Sequence, residues 1–376
     1  KRVGGDILAD SINERELFMI QPGLFDMNNR LESFSKFGDP LEKLKEVVDF
    51  EVSRSEIEEG LGFSDRSKGG RPPYESVLIF KILVLQTLYN LSDDQTEYQI
   101  KDRLSFMRFL DLALCQNVPD AKTIWLYRER LTQKGLIEKL FSTFDQALKD
   151  RGYLAMSGQI IDASIISAPR QRMTKEEKET IKQGNIPQEW KEKPAKLAQK
   201  DRDARWVVKY SKARVKEGEK AIDLATPYFG YKNHISMDNR YGFIRKFHTS
   251  DASRYDGKVL VKLLDKENTA SDVWGDTAYR SQENEDLLAS HGFVSKLHRK
   301  KPKGRPMPQQ TLRANSKKSK VRCKVEHIFA VQKDKMDFFI RTIGITRANV
   351  KIGFTNIVYN MKRLLFWEHR RTAIAG

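Results

Sequence analysis

The chain has 376 residues, of which 39% are hydrophobic and 32% charged, enough to bury a sizeable core and too many for one small domain. Lysine and arginine number 68 against 51 acids, a formal net charge of +17, which points to a polyanionic partner such as DNA, RNA or an acidic membrane surface. Two distant cysteines, Cys115 and Cys323, fit neither structural zinc nor a disulfide framework. The first ten residues carry no apolar signal core, and the longest apolar stretch, Val77 to Leu85, is broken by Lys81. No membrane span and a cytoplasmic, nucleoid location are therefore expected.

In chain order, Asp39-Pro40 reads as an N-cap with proline in the first turn, followed by Leu41, Leu44, Val47, Val48 and Phe50 at helical spacing. Residues 61–74 form a polar, glycine-rich connection. Glu75 to Tyr89 is apolar on nearly every face, as in a buried helix. Ser92 and Asp120 are expected to cap the next helices, and no strand pattern interrupts residues 75–150.

The texture changes near Gly158. Residues 159–166 are a β-branched run and predict a strand. Residues 170–220 are crowded with Lys, Arg, Glu and Gln and read as an insert of helical pieces or partial disorder. Tyr228 to Met237 and Tyr241 to Thr249 predict a hairpin turning at Asp238-Asn239-Arg240. Then follow a helix over Asp256 to Asp265, a strand from Asp272 to Gly275, a helix over Ser281 to Ser290 and a strand over Phe293 to His298. Lys324 to Met336 and residues 347–367 predict the last helices. This order implies an α/β (α+β) fold, a mixed sheet flanked by helices and preceded by an all-helical part; a meander followed by βαβ units is RNase H-like by analogy.

Three acids invite attention. Asp162 lies inside an apolar strand, where a carboxylate must be paired, hydrogen-bonded or metal-bound, or else caps a loop. Asp276 ends a strand, where sites gather, yet the same position suits an N-cap. Glu326 shares a helix face with Arg322 and Lys333, as an ordinary i,i+4 ion pair also would. Combined, they are the carboxylates that Mg²⁺-dependent phosphodiester cleavage needs around two metal ions.

These residues occur in a familiar order. The chain resembles bacterial insertion-sequence transposases of the DDE type, in the branch with a Y-R-E-K signature and the family numbered five. Arg322, Glu326 and Lys333 keep the signature's spacing; Ser319 stands where its tyrosine belongs. Gly70-Arg71-Pro72-Pro73-Tyr74, Leu91-Ser92-Asp93, Phe106-Met107-Arg108-Phe109-Leu110 and the stretch Val118 to Thr123 look like the family's helical N-terminal part. Asp162-Ala163-Ser164, Asp203-Ala204-Arg205-Trp206, Phe229-Gly230-Tyr231-Lys232, the stretch Asp276 to Ser281 and Tyr359-Asn360 extend the match over roughly residues 65–366.

The resemblance implies an RNase H-like catalytic domain with Asp162, Asp276 and Glu326 as catalytic and metal-binding residues, two Mg²⁺ per site with Mn²⁺ as substitute, hydrolysis at the element's ends and attack of the freed 3′-OH on target DNA. It also implies terminal inverted repeats as partners and a homodimer in the reacting complex. The expected domains are a helical arm over 1–64, a helical DNA-binding domain over 65–150, the catalytic domain over 151–340 with its charged insert at 170–226, and a C-terminal helix over 341–376.

Arg322 and Lys333 are expected on phosphates near the cut. Residues 295–324 carry twelve Lys or Arg and no acid, so Lys296, Arg299, Lys300, Lys301, Lys303, Arg305, Lys317, Lys318 and Lys320 are candidate DNA contacts. Arg128 and Arg130 are candidates on the helical domain, and Lys232 and His234 at the site, with plain surface positions as the alternative. Trp206 is a candidate for stacking on a base; Trp274 reads better as core. Two rival functions remain in view: a nuclease or resolvase of the same fold that never joins strands, and a catalytically silent DNA-binding protein.

Overall fold

A computed structural model describes residues 23, 25–61, 72–212 and 223–375. The connection at 61–74 and the charged insert at 170–226 therefore lie partly outside the described residues, as do Gly70 and Arg71. The chain divides into two units, Lys1–Asp39 and Pro40–Gly376. In the first, helix α1 (Asp26–Phe37) ends on Gly38, whose φ of 82° suits glycine, and Arg30 lies over the Phe34 ring.

The second unit begins with helices whose starts follow local chemistry. Helices α2 (Pro40–Val47) and α3 (Arg54–Leu61) precede α4 (Ser76–Leu88), which Glu75 caps through the Val77 and Leu78 amides. Ser92 and Gln95 close a capping box on α5 (Asp93–Asp102). After α6 (Leu104–Phe109), the Asp120 carboxylate accepts from the Thr123 amide at the head of α7 (Ala121–Gln133). Helix α8 (Ile137–Asp150) then leads to the sheet. As expected, α4 is buried nearly all round, and no described residue of 75–150 is in a strand.

Strand β1 (Gln159–Ser167) is the sheet's spine. The charged segment folds into short helices α9 (Lys175–Lys182), α10 (Gln188–Glu192) and α11 (Pro194–Gln199), then an unexpected strand, β2 (Arg205–Lys212). Strand β3 (Asp223–Asp238) has 16 residues and begins five residues before the strand expected over Tyr228 to Met237. Its first half pairs with β2; its second half pairs antiparallel with β1 on one edge and β4 (Ile244–Asp251) on the other. Gly230 sits at the junction: its φ is 153°, and a Cβ there would lie 2.1 Å from the Ile166 carbonyl oxygen.

Helix α12 (Leu260–Leu263) returns the chain to β5 (Asp272–Trp274), which runs parallel to β1. Helix α13 (Gln282–Ser290) leads to β6 (Val294–Ser295), parallel to β5 and shorter than expected. A meander β1-β3-β4 followed by parallel β5 and β6 is the RNase H-like order.

Helix α14 (Gln309–Arg322) occupies the basic run; it buries no residue, which hid its helical period. Helix α15 (Lys324–Ala330) continues into a π-turn over Val331–Lys335, and α16 (Ile345–Ala375) ends the chain. Helices α15 and α16 contribute Val325, Ile328, Val350, Ile357 and Met361 to one core with Ile160 and Ile235 of the sheet and the earlier helices. Ile161, on the opposite face of β1, belongs to a separate core with Val273, Leu260 and Leu288. Among the described residues, no helix is long and apolar enough to cross a membrane.

Candidate active site

The parallel ladder fixes two of the three acids. Gln159 pairs with Val273 and Ile160 with Trp274, an offset of 114 residues (273 − 159). Asp276 and Asp162 differ by the same 114, so they stand in register two residues past the last pair. A period of two puts Asp162 on the side of Ile160, the face that α15 covers. Gly275, just before Asp276, packs closely against the second core: a Cβ there would be 2.8 Å from the Leu297 side chain and 3.3 Å from the Tyr279 ring.

Arg322 brings in the third acid. Its guanidinium donates to Asp162 Oδ2 at 2.6 Å and to Glu326 Oε1 at 3.2 Å. The Asp162 side chain is 16% exposed and that of Glu326 62%, so one carboxylate is largely withdrawn from water and the other reaches into it. Burial raises the pKa of Asp162 to about 6; Arg322 and a bond from the Ala163 amide oppose this, while Asp276 and Asp256 add to it. The Asp276 Oδ1 atom accepts from the Ala278 amide at 2.7 Å within a turn; the next helix, α13, is capped by Ser281, so Asp276 is not the N-cap that the alternative reading offered.

Among the described residues, no three His, Cys, Asp or Glu side chains stand close enough together to hold a metal ion as placed. The cation between Asp162 and Glu326 is Arg322 itself. The donor chemistry nevertheless suits a hard divalent ion: three carboxylates, on a strand, beside a strand end and on a helix, two of them bridged by the Arg322 guanidinium.

Lys333 is an exposed residue of the π-turn; desolvation and the neighbouring Lys209 ammonium lower its pKa. The turn is anchored by amides from three segments. Gln332 Nε2 donates to Asn356 Oδ1 at 2.9 Å, and Asn233 Nδ2 donates to the same oxygen at 2.8 Å. All three side chains are fully buried. This network joins β3, the π-turn and α16, and no single stretch of sequence signals it.

The remaining candidates divide. Arg299, Lys300, Lys301, Lys303, Arg305, Lys317 and Lys320 are exposed along the basic run. Lys318 donates to the Leu297 carbonyl at 2.8 Å, and Lys296 lies 3.6 Å from Asp272. Arg128 is committed inside the helical part, forked onto Asp93 with one bond at 2.7 Å and a further bond to Gln86. Arg130 is exposed beside the Tyr127 ring. Lys232 and His234 pair with Ile165 and Ala163, so they project from the face opposite Asp162. There Lys232 donates to Asp256 at 2.8 Å, and burial pushes the fully buried His234 down to about 3. Trp206 is 36% exposed on β2, while Trp274 packs partly buried against the main core.

Sequence reasoning did not single out Asp256, His298 or Tyr279. The charges of Asp256 and Asp276 both act on Asp162, and His298 Nε2 lies 3.4 Å from Ser319 Oγ, the position lacking the signature tyrosine. Tyr279 was visible only as part of the stretch that follows Asp276.

Two family models match the chain. One, described as Transposase domain (DUF772), covers residues 29–130. The other, described as Transposase DDE domain, covers residues 153–361, more than half of the chain. No solved structure matches it.

Proposed function

The chain belongs to the transposase DDE domain family and is a DNA transposase, and from that premise we propose that Asp162, Asp276 and Glu326 carry its strand-cutting chemistry. The observation that supports this most directly is the shared register of Asp162 and Asp276 at the end of the β1–β5 ladder. Strand ends of this kind are where open sheets gather their sites. The arrangement of Arg322, Glu326 and Lys333 supports membership in the Y-R-E-K branch, and within it the insertion-sequence family numbered five.

The family is generally dependent on divalent metal. We assign Mg²⁺ to Asp162, Asp276 and Glu326, with Mn²⁺ as a substitute, because an all-carboxylate set suits a hard ion that keeps part of its water. Such ions, when bound, activate the attacking oxygen and stabilise the leaving one. The chain's own part is to position. Strand β1 holds Asp162 rigidly, the strand end holds Asp276, and α15 delivers Glu326. Arg322 and Lys333 take phosphates beside the cut, Arg322 by leaving the carboxylates it now bridges.

The exposed lysines and arginines of residues 299–320 guide the duplex to the site. Joining two element ends calls for at least two such sites, so the reacting species is a homodimer on terminal inverted repeats. Its workplace is the bacterial nucleoid.

The test is an assay of end cleavage and strand transfer with purified protein, uncut and pre-cut ends, target DNA and Mg²⁺. Wild type gives joined products. Asp276→Asn loses cutting and joining by at least about a thousandfold while binding end DNA as before. Cleavage without joined products would return the chain to the nuclease reading, and activity in Asp276→Asn would remove this residue from the site.

A further inference from the structure

Tyr279 carries one of the buried polar atoms around the site that lack a partner, alongside Arg322 Nε and His234 Nδ1, and it is the residue among these whose single polar atom is unpaired. Its side chain is fully buried, yet its hydroxyl has no hydrogen-bond partner among the described residues. Buried hydroxyls are nearly always paired, and phenylalanine would fill the same space without the cost.

Its placement is well defined. The Tyr279 carbonyl accepts from Asn284 Nδ2 at 2.7 Å, and the same amide nitrogen donates to the Gly257 carbonyl at 3.0 Å, tying the turn after Asp276 to the loop that carries Asp256. The ring packs with Ile161, Leu260, Leu288 and Leu297. A Cβ on Gly275 would lie 3.3 Å from this ring and 3.6 Å from the Ile161 carbonyl oxygen. The ring therefore lies against the residues that immediately precede both aspartates. Burial first, and then the charges of Asp162, Asp256 and Asp276, raise its pKa well above the ordinary value, so the group is a neutral O–H donor.

Of the three nearby carboxylates, Asp162 has both oxygens engaged, and Asp276 and Asp256 each have Oδ1 engaged. Asp162 takes the Ala163 amide at 2.8 Å and Arg322 at 2.6 Å; Asp276 takes the Ala278 amide, and Asp256 takes Lys232. Displacing Arg322 from Asp162 would free a carboxylate oxygen of the acid whose charge acts most strongly on Tyr279.

We propose that Tyr279 is a positioning residue for the metal site, its hydroxyl donating to a carboxylate oxygen of the Asp162–Asp276 pair once a divalent cation takes the place of Arg322. This rests on the assignment of those two acids as metal-holding residues. The hydroxyl then fixes the carboxylate's orientation.

The experiment compares wild type, Tyr279→Phe and Asp276→Asn by calorimetric titration with Mn²⁺ alone and by thermal melting in EDTA. Tyr279→Phe is expected to melt in EDTA at or above the wild-type temperature, since it removes only an unpaired hydroxyl, and to bind Mn²⁺ roughly tenfold more weakly. Unchanged Mn²⁺ affinity in Tyr279→Phe overturns the proposal. A clearly lower melting temperature in EDTA overturns it too, because the hydroxyl then has a structural partner without metal. Wild-type Mn²⁺ affinity in Asp276→Asn instead overturns the site assignment beneath it.

Discussion

The guanidinium of Arg322 donates to Asp162 Oδ2 at 2.6 Å, joining residues 160 positions apart. The helix that carries Arg322 is thereby tied to the spine of the sheet, and the same contact keeps a largely buried carboxylate compensated. Removing one partner of such a pair leaves the other exposed to the full cost of burial. Arg322→Gln is expected to destabilise the metal-free protein by about 2 kcal/mol in urea at neutral pH. Asp162→Asn in the same chain should recover about half of that loss. Strictly additive effects in this double-mutant cycle would show that the contact carries no coupling.

The candidate basic residues separate by environment. Lys300, Lys301 and Lys303 are exposed, whereas Arg128 is forked onto Asp93 within the helical part. Replacing the three lysines with glutamine is expected to lower the slope of log affinity against log salt by about 2 to 3, with the melting temperature unchanged. Arg128→Met should do the reverse, lowering the melting temperature and leaving the salt slope intact. Equal slopes for the lysine variant and wild type, measured by filter binding between low and moderate salt, would take the run off the DNA path.

What the sequence discloses is what short-range chemistry decides. Ser92, Asp120 and the apolar stretch from Glu75 to Tyr89 mark helix starts and a buried helix because capping and burial act within a few residues. Asp162 stands out because it interrupts a β-branched run. The spacing of Arg322, Glu326 and Lys333 is visible in the sequence, but the single helix face expected for them is not one element: Arg322 ends α14, Glu326 lies in α15 and Lys333 in the π-turn. Strand β2 was missed although Trp206, Val208 and Tyr210 alternate there; they are exposed, so no core demanded them, and the surrounding charge masked their period. Helix α14 escaped for the same reason, having no buried face. The Asn233–Gln332–Asn356 network and the unpaired Tyr279 hydroxyl depend on segments that meet only in the fold.

That amide network has a measurable weight. Asn356 Oδ1 accepts from both Asn233 and Gln332 in a fully buried setting. Asn356→Ala strands two donors at once, and the expected loss is about 2 to 4 kcal/mol in urea denaturation. Because Gln332 precedes Lys333 in the π-turn, strand transfer should also fall at temperatures where the variant is fully folded. Retention of full activity by folded Asn356→Ala would mean that the turn's position does not depend on these amides.

Lys351 supplies a test by pH. It lies on α16, where burial and the like charges of Arg128 and Arg341 hold its pKa down to about 8 against the pull of Asp93. A base with a lowered folded pKa binds fewer protons in the folded chain than in the unfolded one. Its charge therefore opposes folding fully below pH 8, and the opposition fades as pH rises from about 8 toward the ordinary lysine value of 10.5. Lys351→Met keeps an unbranched side chain and removes the charge. It should be more stable than wild type at pH 7 by on the order of 2 kcal/mol, and the gap should narrow steadily between pH 8 and pH 10. Groups that titrate alike in both proteins cancel in this difference. A gap that stays constant across that range would mean that Lys351 is no harder to ionise in the folded chain than in the unfolded one.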